Sequence, residues 1–535
     1  MNVSSRLRAL GALGITMSML LAACEAATVS PSPSAAETPM ELITTPTAPA
    51  SAPPTGPSLA PVPTAVVAPT SPAPPAPSAT PVPSASAGGA SAEPGGSWAP
   101  AGALAVWGSL QAAVPLGDGG ALALEEDGTE AERWDPATAK WRPAAALNAP
   151  RADFAAVPLR DGRVLVTGGL DTHDNDRWQA YSSTYVYDPS TRAGSWTKVG
   201  LLGTARVAPA AALLPDGRVL VAGGAYKNGP AYDDSGSLGL TLAAWTPAAP
   251  GAGAGGRGPL DDIPPPSIGL ALATAELFDP STGRWSPTGS MRYARVGAAA
   301  ATLSDGRVLV VGSAEPGSWW ADVDPRAFDT AEVYDPATGH FSLVGGLPSI
   351  DRAEVAAAGV DLRDDPTFYD NMGFTDVGTL IALGDGGALV IGRYESSKHQ
   401  GSVTRSFRFD ARGGRWRQLG KASVVFLDTK DGGYRGTPGP DLGGAFAAAL
   451  PDGQVLVAGG TSLNEAGTDW EASRIARLYD PVTNTWTRLP SMPEGRTRGV
   501  TVTLADRSIL LVGGNDWYGG ADYVYKVAVR FVSSP

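Results

Sequence analysis

After residue 97 the chain repeats short apolar runs and turn signals in the same order seven times. In the clearest copy, the turn Asp161-Gly162-Arg163 precedes the apolar run Val164-Leu165-Val166, and Gly168-Gly169 follows. An Asp-Gly turn typically joins two antiparallel strands, and a Val/Leu run bounded by glycine is typical of a buried strand. Clear copies begin at Asp161, Asp216, Asp305 and Asp452, and weaker copies begin at Asp118, Asp385 and Asp506.

A second phrase, an aromatic residue followed by Asp and usually by Pro, comes after each of the first six copies. Another aromatic residue follows it a few positions later. Asp-Pro favours a turn between two short strands, so the later aromatic residue lies on the second of them. The aromatic pairs are Trp134 and Trp141, Tyr187 and Trp196, Phe278 and Trp285, Tyr334 and Phe341, Phe409 and Trp416, and Tyr479 and Trp486. With the apolar run before each Asp-Gly turn, every unit is predicted to have four antiparallel strands, named A to D.

Repeats of four short strands predict a β-propeller, because one such sheet cannot bury both of its faces and stacks radially against its neighbours. The double Gly, the aromatic-Asp-Pro and the spaced Trp resemble the kelch repeat over about residues 97–531. The resemblance implies an all-β, seven-bladed kelch-type β-propeller over residues 97–535. The double Gly is replaced by Glu125-Glu126, Gly312-Ser313 and Gly392-Arg393 in units 1, 4 and 5, so we expect less regular blades there.

The seventh unit ends near residue 532 without an Asp-Pro turn or a Trp strand. The start of the propeller, Ser97-Trp98-Ala99-Pro100, resembles the D strand Arg284-Trp285-Ser286-Pro287 of unit 3. We therefore predict that this N-terminal strand completes the last blade and closes the ring, which leaves no open sheet edge there.

Residues 1–23 have the pattern of a secretory signal peptide, with Arg6 and Arg8 before an uncharged run of 15 residues. The run is too short to span a bilayer, which needs about 20 residues. Its end, Leu21-Ala22-Ala23-Cys24, resembles a bacterial lipobox. The resemblance implies a diacylglycerol thioether and an acylated amine, such as a palmitate, on Cys24, and an extracytoplasmic, membrane-anchored lipoprotein. The alternative is an ordinary signal peptide with a chance Cys.

Residues 24–96 are dominated by Ala, Pro, Ser and Thr, and we expect them to form a disordered tether. Pro fixes φ and removes hydrogen-bond donors, so helix and sheet are disfavoured. An extended polyproline chain of this length reaches up to about 200 Å at about 3.1 Å per residue. The composition is also that of O-glycosylated stalks.

Charge and rare residues exclude several functions. The chain has 40 basic and 53 acidic residues, a net charge of −13, which excludes nucleic-acid binding through a basic face. A single Cys and three His exclude a Cys-rich zinc site and leave little for a multi-His centre. Acidic residues are dense in the loops, but no spacing matches a calcium loop. We expect solvated charge there, and neither a metal nor another cofactor.

Connectivity assigns the loops to two faces of the propeller. In an antiparallel A-B-C-D blade, the B–C segments and the D–A links lie on one face, here called the loop face. The A–B and C–D turns lie on the opposite, turn face. The long segments predicted for the loop face are 170–183, 225–272, 313–329, 393–403, 421–440 and 461–473. Segment 360–376 is predicted within the A–B region of unit 5 and hence on the turn face.

Aromatic and basic residues on the loop face are the candidate binding residues. Exposed aromatic rings suit sugars or a protein partner, but they could also hold long loops in place. An arginine recurs just before strand A, where a ring of guanidiniums could hold an anion. The alternative is that each Arg bonds carbonyls or an acidic neighbour. The candidates are Trp178, Trp245, Trp319, Trp320, Trp470, Trp517, Tyr518, Arg151, Arg206, Arg295, Arg352 and Arg496.

The resemblance offers three functions. Copper radical oxidases built on kelch propellers need Tyr and His ligands and a Tyr cross-linked to Cys. No residue can be carried over, because the propeller has no Cys, so we reject that activity. A sugar epimerase similar to the sialic-acid mutarotases stays open through the arginines. The leading prediction is a monomeric, non-catalytic, tethered protein that binds a glycan or a protein partner through its loop face.

Overall fold

The computed structural model describes residues 95–533, apart from thirteen short or long gaps. These gaps are 106–109, 127, 172–178, 227–268, 314–319, 322–324, 328–329, 349–373, 397–400, 428–433, 437–440, 464–469 and 517–522. The chain divides into the units Met1–Ser86 and Ala87–Pro535, and all described residues belong to the second. The predictions for the signal peptide, for Cys24 and for nearly all of the tether fall outside the described residues.

Each blade is an antiparallel sheet whose strands follow in the order A to D from the centre outwards. The strands of blade 1 are Leu110–Pro115, Ala121–Glu125, Ala131–Asp135 and Lys140–Pro143. Those of blade 2 are Ala155–Pro158, Val164–Thr167, Ser183–Asp188 and Ser195–Leu201. Those of blade 3 are Ala210–Leu213, Val219–Ala222, Ala275–Asp279 and Arg284–Pro287. Those of blade 4 are Ala299–Thr302, Val308–Val311, Ala331–Asp335 and His340–Val344.

Blade 5 and strands A and B of blade 6 are longer, and blade 7 includes the strand from the start of the propeller. The strands of blade 5 are Phe374–Ala382, Ala388–Ser396, Gly401–Asp410 and Arg415–Leu427, with Tyr434–Gly436 added at its outer edge. Those of blade 6 are Asp441–Ala449, Val455–Leu463, Ala476–Asp480 and Thr485–Arg488, with Trp470–Ala472 paired to strand B. Those of blade 7 are Val500–Thr503, Ile509–Val512, Val527–Val532 and Ser97–Ala103.

The seven blades close into a ring, as the sequence predicts. Each strand A contacts the A strands of both neighbouring blades, including the pair formed by blades 7 and 1. Seven apolar clusters of buried residues lie between consecutive blades, one at each interface. The outer aromatic pairs add to these interfaces. Tyr187 packs on Trp196 with ring centroids 5.1 Å apart, and Trp196 Nε1 donates to the Ala145 carbonyl at the end of blade 1.

The N-terminal strand closes the last blade, which confirms the prediction. Ser97–Ala103 pairs antiparallel with Val527–Val532, and Trp98 lies opposite Phe531 with ring centroids 5.1 Å apart. Trp98 Nε1 also donates to the Pro490 carbonyl of blade 6 at 2.8 Å. Because strand D starts at the C–D side of a blade, the chain joins the propeller at Gly96 on the turn face.

Blades 1, 4 and 5 depart from the pattern in different ways. Strand pairing shifts register near Leu110 in blade 1 and near Phe374 in blade 5, as expected for irregular blades. Blade 4 stays regular, because the Ser313 hydroxyl both accepts from the Val296 N–H and donates to its carbonyl. Register shifts also occur in blades 2, 6 and 7, after Thr184, Asp441 and Pro100, where the sequence pattern does not indicate them, so these shifts do not distinguish the blades that lack the double Gly.

The assignment of segment 360–376 to the A–B region of unit 5 is wrong. Strand A of blade 5 is Phe374–Ala382, and it joins strand B through a tight turn closed by the Leu383 and Gly387 backbones. Residues 349–373 therefore belong to the D–A link by connectivity. The earlier apolar run from residue 355 to 360 has the composition of a strand A, and this similarity misled the prediction.

The A–B turn has the same geometry in all seven blades. In blade 2 the Leu159 N–H donates to the Arg163 carbonyl, while Asp161 Oδ1 accepts from the Arg163 N–H. The third residue after this Leu, Gly162 in blade 2, adopts a left-handed backbone conformation, which suits Gly because it has no Cβ. It is Gly in six blades, but in blade 7 it is Arg507, with φ of 72°.

Arg507→Gly should therefore stabilise the protein. Relief of the left-handed strain outweighs the added flexibility of the unfolded chain, and we expect a gain of about 0.5–1 kcal/mol in the free energy of unfolding. The matched control is Gly453→Ala in blade 6, where a Cβ would meet no atom within 4 Å. It should cost about 1 kcal/mol through backbone strain alone. Urea unfolding of both variants checks the pair, and a loss of stability in Arg507→Gly would contradict it.

Candidate binding face and its buried arginines

The B–C segments on the loop face begin and end in short ribbons. Leu170–Asp171 pairs with Gln179–Ala180 in blade 2, and Asn515–Asp516 pairs with Tyr523–Val524 in blade 7. In blade 3, Ala225–Tyr226 pairs with Gly269–Ala271, which in turn pairs in parallel with Trp320–Ala321 of blade 4. The B–C segments of blades 3 and 4 are thus hydrogen-bonded to each other. A one-turn helix, Pro325–Ala327, lies in the same segment of blade 4.

The predicted aromatic residues all belong to these B–C segments. The structure describes the backbone of Trp320, opposite Gly269, and of Trp470, opposite Leu463. Their side chains fall outside the described part of the chain. The remaining aromatic candidates fall outside it entirely: Trp178, Trp245, Trp319, Trp517 and Tyr518. Their role as binding residues therefore stays a prediction.

Four of the five predicted arginines are fully buried and bonded to the protein. Each guanidinium donates to the carbonyl of the Gly that lies 17 residues later, at the end of strand B of the same blade. The pairs are Arg151 with Gly168 at 3.0 Å, Arg206 with Gly223 at 2.8 Å, Arg295 with Gly312 at 3.1 Å, and Arg496 with Gly513 at 3.3 Å. Arg352 lies outside the described residues, and no Gly follows it at this spacing.

The same guanidiniums also hold the start of strand C. Arg206 Nη1 donates to the Thr274 carbonyl at 2.8 Å, and its Nη2 donates to the Thr274 hydroxyl at 3.0 Å. Arg295 repeats both bonds with Thr330. In blade 2 the hydroxyl acceptor of Arg151 is Ser183. One side chain therefore ties the D–A link to strands B and C of its own blade.

The backbone of each arginine reaches the preceding blade. The Arg206 carbonyl accepts from the Gly169 N–H of blade 2 at 2.8 Å, and the Arg295 carbonyl accepts from the Gly224 N–H of blade 3 at 2.8 Å. The double Gly permits this approach, since a Cβ at Gly223 would lie 2.5 Å from the Arg295 carbonyl oxygen. We call this arrangement, formed by Arg151, Arg206, Arg295 and Arg496, the arginine staple.

Two buried glutamates neutralise the staples of blades 3 and 4. Glu276 accepts from Arg206 Nη2 at 3.0 Å, and Glu332 accepts from Arg295 Nη2 at 3.1 Å. Glu332 is 1% exposed and also accepts from the Arg292 N–H at 2.6 Å. Burial lowers the pKa of both guanidiniums, and the two carboxylates oppose that shift.

The other two staples use different groups. Arg496 pairs with Glu494, which is 49% exposed, at 3.1 Å. Arg151 lies over the Tyr181 ring, with its Cζ 4.7 Å from the centroid, and 5.3 Å from that of Tyr185. Cation–π contacts of this kind stabilise a guanidinium by about 0.5–2 kcal/mol. Tyr185 occupies the strand-C position that Glu276 holds in blade 3.

The buried glutamates were missed in the sequence, although a signal for them exists. Each stands two residues before the aromatic of the Asp-Pro phrase, as Glu276 before Phe278 and Glu332 before Tyr334. A charged residue at an inward position of a strand indicates a buried partner. The bonded guanidiniums favour the second interpretation of the arginines, in which they bond carbonyls and acidic neighbours.

Within the described ranges, no group of three or more His, Cys, Asp or Glu is arranged to hold a metal ion. The same residues include no helix long and apolar enough to cross a membrane.

Glu332→Gln should destabilise the protein strongly, because it leaves the Arg295 charge buried without its counter-ion. We expect a loss of about 3 kcal/mol in the free energy of unfolding. The matched control is Glu494→Gln, whose half-exposed pair with Arg496 should cost less than about 1 kcal/mol. The double change Arg295→Met with Glu332→Leu should remain strongly destabilised, because the Gly312, Ala327 and Thr330 carbonyls then lose their donor. Equal, small losses in both single variants would show that burial of the pair does not matter.

The chain is similar to several known proteins. A family model described as the kelch motif matches residues 444–493. A kelch-like protein, terF, from Aspergillus terreus is 43% identical over 67 residues, which span 12% of this chain and 14% of that relative. A fungal alcohol oxidase of the AA5 family in complex with copper has a TM-score of 0.46 at 16% identity, covering 82% of this chain and 76% of its own.

The solved structure of YjhT has a TM-score of 0.39 at 16% identity, covering 72% of this chain and 98% of its own. The chain therefore has the fold of a kelch-type β-propeller: seven four-stranded blades close into a ring, and the kelch motif matches blade 6.

Proposed function

We propose that this propeller is a non-catalytic, extracytoplasmic lipoprotein, anchored through Cys24, that binds a glycan or a protein partner on its loop face. The observation that carries the proposal is the contrast between the two faces. Several B–C segments and D–A links on the loop face are long. All seven A–B turns and six C–D turns on the opposite face are short. Long segments on a rigid scaffold are where binding residues concentrate.

The turn face is occupied by its own hydrogen bonds. Asp carboxylates accept backbone N–H groups two residues later in both kinds of turn, as Asp216 does from Arg218 and Asp279 does from Ser281. Side chains also cross between blades there, for example Arg307 to the Ala411 carbonyl at 3.0 Å. These groups are less available to a ligand than groups on the loop face.

The charge of the chain bears on the kind of partner that it can bind. The net charge of −13 favours neutral glycans or basic protein surfaces over anionic polymers.

The sugar-epimerase alternative gains no support from the described residues. It depended on arginines near strand A, and the four described ones are fully buried in staples. We therefore retain the binding function alone.

The loop-face aromatics Trp319 and Trp320 provide the test. In the full chain, we expect Trp319→Ala together with Trp320→Ala to reduce binding at least tenfold, since each lost stacking contact costs about 1 kcal/mol or more. A glycan array measures sugar binding, and a pull-down from envelope extracts measures protein partners.

Val482→Ser is the matched control. Val482 is 87% exposed in the C–D turn of blade 6, on the turn face, so its loss should leave binding unchanged. Binding that depends on Val482 but not on the two tryptophans would place the partner on the wrong face for this proposal. Turnover of a sugar by the purified chain would contradict the non-catalytic assignment.

A further inference from the structure

Arginines stand directly opposite each other on strands C and D in three blades. The pairs are Arg133 with Arg142 in blade 1, Arg408 with Arg417 in blade 5, and Arg477 with Arg488 in blade 6. Opposite side chains of an antiparallel pair lie on the same face of the sheet with their Cβ atoms about 5 Å apart, and like charges at this distance repel. Each pair is therefore more stable when another group offsets its charge.

The protein itself supplies such groups in blades 1 and 5 but not in blade 6. The partners are Asp118 for Arg133, Asp135 for Arg142, Asp385 for Arg408 and Asn484 for Arg417. Among the residues that the structure describes, none forms a hydrogen bond or an ion pair with the guanidinium of Arg477 or Arg488. The pair in blade 6 thus presents two positive charges that no protein group neutralises.

The position of Arg477 carries the opposite charge in other blades. It lies two residues before the strand-C aromatic, where Glu276 and Glu332 stand in blades 3 and 4. Blade 6 has no staple arginine for such a glutamate to neutralise, because Leu442 lies 17 residues before Gly459. The other six blades have Glu, Tyr, Phe or Val at this place, so the fold does not itself require a positive charge there.

The arginine pair of blade 6 faces the interface with blade 5 and is open to solvent. Tyr479 and Trp486 belong to the apolar cluster of that interface, with ring centroids 4.9 Å apart. Arg477 and Arg488 lie two residues from these rings on the same strands, and hence on the same face of the sheet. Arg488 is exposed and Arg477 is half-buried. Arg417 of blade 5 reaches across the same interface, so positive charge is concentrated here.

We infer that Arg477 and Arg488 bind a phosphate group. Two guanidiniums carry two positive charges, which match the charge of about −1.5 to −2 of a phosphate monoester at pH 7. Each guanidinium presents parallel N–H donors that fit phosphate oxygens, whereas a carboxylate carries one charge and leaves the other arginine unneutralised. The net charge of −13 disfavours a long anionic polymer but acts little on a single group, because charges beyond about 8 Å are screened at physiological salt.

Isothermal titration of the full chain with inorganic phosphate and with glucose 6-phosphate, at constant ionic strength, tests the inference. We expect saturable binding of phosphate, at least tenfold tighter than binding of acetate. Arg477→Gln and Arg488→Gln should each weaken it at least tenfold. Their thermal midpoints without phosphate should stay equal or rise, because each change removes the repulsion between the opposite charges. Tighter binding of glucose 6-phosphate assigns the site to a phosphate ester, and equal or weaker binding assigns it to free phosphate.

Arg142→Gln is the matched control. It removes one member of the opposite pair in blade 1, whose charges Asp118 and Asp135 already neutralise, so phosphate binding should not change. An equal loss of affinity in this control would show that phosphate responds to overall charge and would overturn the site. Phosphate binding that survives in the double variant of Arg477 and Arg488, acetate binding as tight as phosphate binding, or a full chain that binds no phosphate would overturn it as well.

Discussion

The rest of the structure depends on a buried guanidinium whose charge needs hydrogen bonds and a counter-charge. Taking an arginine out of water is costly unless these replace the solvent. Arg295 bonds strand B, strand C and Glu332 through all three of its nitrogens. Arg206 makes the equivalent bonds through its two terminal nitrogens, while its buried Nε has no hydrogen-bond partner. Their backbone carbonyls accept hydrogen bonds from N–H groups of the preceding blade, so each arginine also fixes its own blade to the one before it.

This constraint links the repeat to the binding face. The staple requires glycine at the end of strand B, which explains why the double Gly recurs where no side chain would fit. It also lies directly beneath the B–C segments and the D–A links. The long loops thus begin from a rigid, hydrogen-bonded base. Rigid support of this kind lowers the entropy lost on binding.

Most of the fold could be predicted from the sequence, because turns and strands depend on local patterns. The Asp-Gly turns, the aromatic pairs and the closing strand at Trp98 all follow from such patterns. The role of Arg295 could not be predicted, since an arginine before strand A can face solvent or bond carbonyls. Only the fold brings Glu332 to it from 37 residues away. Strand A of blade 5 was misplaced because an earlier Ala-rich run has the same composition.

The central claim is that the arginine staples lock consecutive blades and are not free to hold a ligand. Hydrogen–deuterium exchange of the full chain tests it most directly at the amides of Gly169 and Gly224, which donate to staple carbonyls. The account predicts that these amides exchange only through global unfolding, as slowly as the centre of strand B. Exchange at either amide that is much faster than at the centre of strand B would contradict it.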